Sequence, residues 1–97
     1  MPNKKNVLNP YCGGQQYVQL TSLASATALS GVPSGVIFAW IQAETQAVRW
    51  RADGVNPTAS VGSVIAAGAT LEFSGDMTAI RLIEVTASAK VNIVYFV

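Results

Sequence analysis

The chain has 97 residues, of which 51% are hydrophobic and only 11% are charged, and its formal net charge is +1 at pH 7. This length makes one domain, and the weak net charge argues against a nucleic-acid-binding protein, which needs a basic stripe to neutralise phosphates. The apolar excess is too large for the core of so small a fold, so we expect apolar surface to meet a partner, most simply a copy of the same chain.

Neither a membrane span nor a signal peptide is predicted. No apolar run approaches the roughly 18–20 residues that a spanning helix needs. The basic start of the chain is not followed by the continuous apolar segment of a signal peptide.

Residues 1–16 are predicted to form an extended N-terminal arm. They contain two prolines and a Gly-Gly pair but no hydrophobic period. One interpretation is a frayed, solvated terminus. The other is an arm that docks on a neighbouring subunit, with two basic and two apolar contact residues. These are Lys4, Lys5, Leu8 and Tyr11.

Residues 17–30 begin with alternating polar and apolar side chains and continue into an alanine-rich run. The serines and threonines between the alanines favour a strand or a bent strand over a helix. The segment 31–35 contains two glycines and a proline, which are typical of a turn.

The segment 36–54 has the strongest strand pattern. It alternates strictly over 36–43 and again over 48–51, and a polar break separates the two runs. This pattern predicts two half-buried strands folded on each other as a hairpin. Both tryptophans, Trp40 and Trp50, lie here, so we expect the hairpin to supply the largest share of the core.

The rest of the chain reads as short strands joined by turns. A loop is predicted at 54–58. The segment 59–67, which is small and apolar, is expected to cross between the sheets without adding large side chains to the core. Strands are predicted at 69–73, 78–86 and 90–97.

The last strand is apolar on both sides. Val94 and Phe96 point to one side, and the opposite side is also apolar. A strand that is hydrophobic on both faces is covered on both faces, here by the core and by another subunit. We therefore expect Val94 and Phe96 at an oligomer interface, together with the outward-facing Arg49 and Arg51.

Seven or eight short strands with turn signals between them predict an all-β protein, an antiparallel β-sandwich over residues 17–97. A jelly-roll connection is one way of joining the strands, and an immunoglobulin-like order is another.

The sequence gives little support to an enzyme. It contains no histidine, and Cys12 is its single cysteine, which removes the usual triads and cysteine-based zinc sites. The five acidic residues show no paired-carboxylate arrangement. Asp53, Asn56 and Asp76 would ligate calcium only if their loops met, and the EF-hand spacing is absent. We expect no catalytic residue, metal or cofactor.

Two other patterns in the sequence are compatible with binding. Arg49, Trp50 and Arg51 could contact single-stranded nucleic acid, but arginines paired with Glu72, Glu84 or Asp53 are the favoured interpretation. Trp40 and Trp50 could form a sugar-stacking platform, although core packing is the default for tryptophans that point inward.

The run 47–73 contains an Arg-X-Arg strand, Asp53-Gly54, Pro57-Thr58, and two glycines before Leu71-Glu72-Phe73. It resembles small virion proteins of tailed bacteriophages. The closing run 75–95, with Ala79-Ile80-Arg81 and a terminal Val-X-Ile-Val-Tyr strand, fits the same group.

The resemblance implies a capsid decoration (cement) protein on the head exterior, assembled in the host cytoplasm. Such a protein would oligomerise, with a homotrimer favoured, and would clamp neighbouring major capsid subunits. Similar domains occur in phage tails and fibres. The alternative is therefore a carbohydrate-binding module that uses Trp40 or Trp50 and the 53–58 loop.

Overall fold

The computed structural model describes residues 15–97, and these residues contain eight β-strands. The strands are β1 (Gln15–Leu20), β2 (Thr27–Ala28), β3 (Phe38–Ala43), β4 (Val48–Arg51), β5 (Ser63–Ile65), β6 (Thr70–Phe73), β7 (Arg81–Glu84) and β8 (Val91–Phe96). Within this described part, no helix is long and apolar enough to cross a membrane.

The strands form two four-stranded sheets. Sheet one has the order β1-β8-β3-β6, and sheet two has the order β2-β7-β4-β5. Every strand pair is antiparallel. Along the chain, every connection except β4–β5 passes from one sheet to the other. The predicted all-β sandwich is confirmed.

The core lies between the sheets and is built by the period-2 alternation of the strands. Along β8, Val91, Ile93 and Tyr95 are fully buried, and the residues between them are half-buried. In β7, Leu82 points inward, and Ile80 just before the strand is also fully buried. Apolar side chains that leave water in this way supply the main favourable term in folding.

Tyr95 shows how a polar group is accommodated in this core. Its hydroxyl donates a hydrogen bond of 2.7 Å to the backbone carbonyl of Ser30. Burial disfavours the charged phenolate and raises the pKa of Tyr95 to about 12. The bond ties the last strand to the connection that follows β2.

The predicted hairpin over residues 36–54 is wrong, although both of its strands exist. β3 lies in sheet one between β8 and β6, and β4 lies in sheet two between β7 and β5. The short link between β3 and β4 is therefore an arch across the sandwich. Its backbone bonds go to neighbouring segments, since Glu44 donates to Lys90 and Ala47 accepts from Val85.

The expectation that both tryptophans lie in the core is wrong for Trp40. The buried face of β3 carries Ala39, Ile41 and Ala43, so Trp40 is half-buried on the outside of sheet one. Trp50 does pack against the core cluster. Its ring meets Phe73 of sheet one edge-on, with centroids 6.3 Å apart, and so links the two sheets.

Two boundaries also differ from the prediction. Gln15 and Gln16, assigned to the arm, belong to β1, while residues 1–14 lie outside the described residues. The segment 59–67 is more than a passive crossing, because it contains β5, whose Ile65 is buried. Ser88, in the turn between β7 and β8, has a left-handed φ of 70°.

The two tryptophans should respond differently to truncation. Trp50→Ala removes a ring that contacts both sheets and should cost about 3 kcal/mol of unfolding free energy, the lower end for buried aromatics because Trp50 is only partly buried. Trp40→Ala should cost about 1 kcal/mol, the central value for point substitutions, because Trp40 is only half-buried on the outer face. Urea denaturation of both variants measures this, and equal losses would contradict the assignment of Trp40 to the outer face.

Candidate binding surface

The outside of sheet one carries an unusual concentration of aromatic side chains. We define the aromatic face as the outward residues of β1, β3 and β8 that are aromatic or aliphatic. It consists of Tyr17, Phe38, Trp40, Val94 and Phe96. Sequence alternation predicted the outward direction of Val94 and Phe96, but it did not predict that Trp40 lies beside them.

The strand register explains why these side chains are neighbours. Tyr17 lies opposite Val94, Val94 lies opposite Trp40, and Trp40 lies opposite Glu72 on the edge strand β6. Directly opposed residues in antiparallel strands have Cβ atoms about 4.5–5.5 Å apart. One row therefore crosses the whole sheet and ends in a carboxylate.

The neighbouring row of the aromatic face contains two stacked aromatic rings. Phe38 lies opposite Phe96, and their rings are stacked with centroids 4.5 Å apart and planes inclined by 11°. Tyr17 is the most exposed member of the aromatic face, with 61% of its surface accessible. The face therefore combines ordered rings with accessible apolar area.

A hollow of about 330 Å³ adjoins the aromatic face at β6. Its lining combines the apolar side chains of Ile37 and Phe38 with Glu72 and Ser74. Ile37 is 46% exposed. A carboxylate beside an aromatic ring is a suitable receptor for a planar cation.

The other end of sheet one is polar and internally hydrogen-bonded. Asn92 lies at its centre, where its side-chain oxygen accepts from the Tyr17 hydroxyl and from Gln19 Nε2. Asn92 Nδ2 donates to Gln42 Oε1 at 3.3 Å and to Glu44 Oε1 at 2.9 Å. This network fixes the phenol of Tyr17 at the edge of the aromatic face.

The outside of sheet two carries all three arginines of the chain. We define the arginine face as these arginines together with the two aliphatic residues that flank Arg49 on the neighbouring strands. It consists of Arg49, Arg51, Arg81, Val64 and Ile83. Arg51 lies directly opposite Arg81, and Arg49 lies between Ile83 and Val64.

The predicted acidic partners of the arginines are right only for Arg51. Its guanidinium forms an ion pair with Asp53, donating from both Nε and Nη2. That contact holds the pKa of Asp53 below its ordinary value. Glu72 and Glu84 form no ion pair within the described residues.

Arg49 has a role that the sequence did not indicate. Its Nε donates to the carbonyl of Ala59 at 3.0 Å, and its Nη1 donates to the carbonyl of Gly62 at 2.7 Å. Gly62 has a φ of 135°, and a Cβ there would lie 3.1 Å from the Trp50 carbonyl and from Pro57. Arg49 and Gly62 together hold the β4–β5 loop against β4.

The other candidate sites gain less support. Trp50, Arg51 and Asp53 line a shallow hollow of about 420 Å³ beside the β4–β5 loop, whereas Trp40 lies on the other sheet. The two tryptophans therefore do not form one platform. Asp76 accepts from Thr78, which lowers the pKa of Asp76. No group of three possible metal ligands occurs in residues 15–97.

Four predicted contact residues, Lys4, Lys5, Leu8 and Tyr11, lie outside the described residues, as does Cys12. Val94 and Phe96 belong to the aromatic face, and Arg49 and Arg51 belong to the arginine face. The structure therefore places the four predicted interface residues on opposite sides of the sandwich. No protein-family model, curated protein or solved structure matches this chain.

The bonds from Arg49 should control the order of the β4–β5 loop. Arg49→Met keeps an aliphatic stem but removes both hydrogen bonds, each worth about 1.5–3 kcal/mol where a charged group donates. Hydrogen exchange should then accelerate about tenfold or more at the Thr58 and Val61 amides, which pair with each other's carbonyls.

The matched control is Arg81→Met, because Arg81 donates to the carbonyls of Thr78 and Ile80 instead. It should leave exchange at Thr58 and Val61 unchanged. Equal acceleration by both variants would mean that Arg49 does not hold the loop.

Proposed function

We propose that the protein is a non-enzymatic structural protein that works by association, a decoration protein on the capsid exterior of a tailed bacteriophage. The observation that carries the proposal is the aromatic face. Tyr17 is 61% exposed on this face and Trp40 is only half-buried, so aromatic surface is accessible there. Aromatic residues are enriched in protein–protein interfaces and supply most of their hot spots.

The strand order supports the same proposal. An eight-stranded jelly roll would have the strand orders β1-β8-β3-β6 and β2-β7-β4-β5. Six of its seven connections would cross between the sheets. Jelly rolls occur in viral capsid domains and in lectins. A shared fold is an analogy and does not by itself assign a function.

In the proposed mechanism, linked copies of the chain each bury surface against the capsid, and these contacts add together. Copies of the chain associate, and each contacts a major capsid subunit, with the N-terminal residues Lys4, Lys5, Leu8 and Tyr11 as proposed contacts. Linking several modest contacts raises the overall affinity by roughly 10²–10⁴ without any new contact. The clamp would resist separation of the capsid subunits.

A second candidate is a carbohydrate-binding module of a phage tail or fibre. It is favoured by one observation: Trp40 and Tyr17 lie beside amide and carboxylate groups of Gln42, Asn92 and Glu44. Stacking rings next to directed hydrogen-bonding groups would suit a sugar ring. A glycan array discriminates the two candidates, because a decoration protein should bind no glycan on it.

The proposal predicts saturable binding to capsids. Purified protein added to empty heads that lack it should bind in hundreds of copies per particle, measured by quantitative mass spectrometry. Val94→Asp buries a charge in the aromatic face, so it should dissociate the assembly and reduce retention at least about tenfold through lost avidity.

Val55→Asp is the matched control, because Val55 is 50% exposed in the β4–β5 loop and should tolerate the change. A handful of wild-type copies per particle would indicate a tail component instead. No binding to heads by a folded wild type would contradict the proposal.

A further inference from the structure

The charges of the protein are distributed unequally between its two outer faces. The arginine face holds three cations, and within the described residues only Arg51 is paired with an acid. Arg49 and Arg81 donate to neutral backbone carbonyls and so keep an uncompensated charge. The outer side of sheet one carries Glu72 in the row of Trp40 and Glu44 at the polar end, with Lys90 next to Glu44.

The chemistry of the two faces is complementary. Arginine forms bidentate hydrogen bonds with carboxylates and stacks on aromatic rings, and it does both better than lysine. The outer side of sheet one offers both partners, since Glu72 lies opposite Trp40. The aliphatic parts of the two faces, Val64 on one and Val94 on the other, add apolar area.

We propose that the arginine face of one copy docks on the aromatic face of a second copy, in a head-to-tail contact. This inference rests on the proposed self-association and specifies its geometry. It also explains how the four predicted interface residues can all belong to one contact. Val94 and Phe96 lie on one side of the sandwich and Arg49 and Arg51 on the other, so one two-fold symmetric contact cannot contain all four. A head-to-tail contact contains them all.

The contact has a consequence for the size of the assembly. A head-to-tail contact leaves one face of each end copy uncovered, so the copies either close into a ring or continue as a filament. In sheet one, four strands about 4.8 Å apart and up to six residues long, at about 3.3 Å per residue, give a face of roughly 400 Å², and the shorter strands of sheet two give less. Both areas are below the roughly 800 Å² per partner of a standard interface. Each contact is therefore weak alone, and a closed ring, in which every copy makes two, is favoured.

A two-fold contact through the aromatic face alone is the competing geometry. It would place Glu72 of both copies against the same apolar surface with no arginine to neutralise them. It would also leave three arginines and the 52% exposed Val64 uncovered. The distribution of charge therefore favours the head-to-tail contact.

A mixing experiment with one variant for each face tests the proposal. Glu72→Arg repels the arginine face, and Arg81→Glu repels the aromatic face, since like charges across an interface are costly. Each purified variant should remain monomeric with its dissociation constant raised at least about tenfold, as measured by sedimentation velocity. A 1:1 mixture should assemble again, because contacts between two intact faces alternate with contacts in which both charges are reversed, so that every contact joins opposite charges.

Arg81 also bonds to its own loop, so Val64→Glu serves as a second arginine-face variant with little packing to lose. Val32→Glu, exposed in the β2–β3 connection, is the control and should assemble like the wild type.

If Arg81→Glu and Val64→Glu assemble like the wild type while Glu72→Arg does not, the contact is two-fold through the aromatic face. The head-to-tail proposal would then be wrong while the proposed function stands. The head-to-tail proposal is also overturned if the mixture stays monomeric. A wild type that is monomeric throughout and does not bind heads would overturn the proposed function with it.

Discussion

The structure depends on one shared core between two small sheets. In a β-strand, each residue that points into the core is followed by one that points out. Eight short strands with this alternation bury Ile41, Leu82, Ile93 and Tyr95 completely. With 51% hydrophobic and 11% charged residues, the chain must then place apolar side chains at outward positions as well. The aromatic face follows from this constraint.

The two outer faces differ because the chain changes sheets at almost every connection. Consecutive strands such as β3 and β4 contribute their outward residues to opposite sides of the molecule. Aromatic residues of β1, β3 and β8 therefore gather on one side, and arginines of β4 and β7 gather on the other. In the proposed assembly, this separation gives each copy two different surfaces. One fold thus provides both halves of a contact.

The sequence predicted the strands well and their connections less well. Alternation located β3, β4, β6, β7 and β8 because a buried face requires period 2. The hairpin prediction for the link between β3 and β4 is wrong because a link of four residues, extended at about 3.3 Å per residue, also spans the roughly 10 Å between stacked sheets. Local pattern does not distinguish a hairpin from such an arch, and only pairing with β7 and β8 decides it.

The candidate surface was predicted in part for similar reasons. Alternation assigned Val94 and Phe96 to one side of β8, but the direction of Trp40 depends on which face of β3 meets the core. There the small side chains of Ala39 and Ala43 are inward, against the usual preference for burying the larger ring. The bonds from Arg49 to the carbonyls of Ala59 and Gly62 left no signal, because any residue type provides a carbonyl.

The central claim is that the aromatic face is covered in the working form of the protein. Hydroxyl-radical footprinting of the full chain, at concentrations above and below its association range, measures this directly. The account predicts that Tyr17 and Trp40 become protected as the concentration rises, while Val32 and Val55 keep a constant rate of oxidation. Equal oxidation of Tyr17 and Trp40 at every concentration, with heads present or absent, would contradict it.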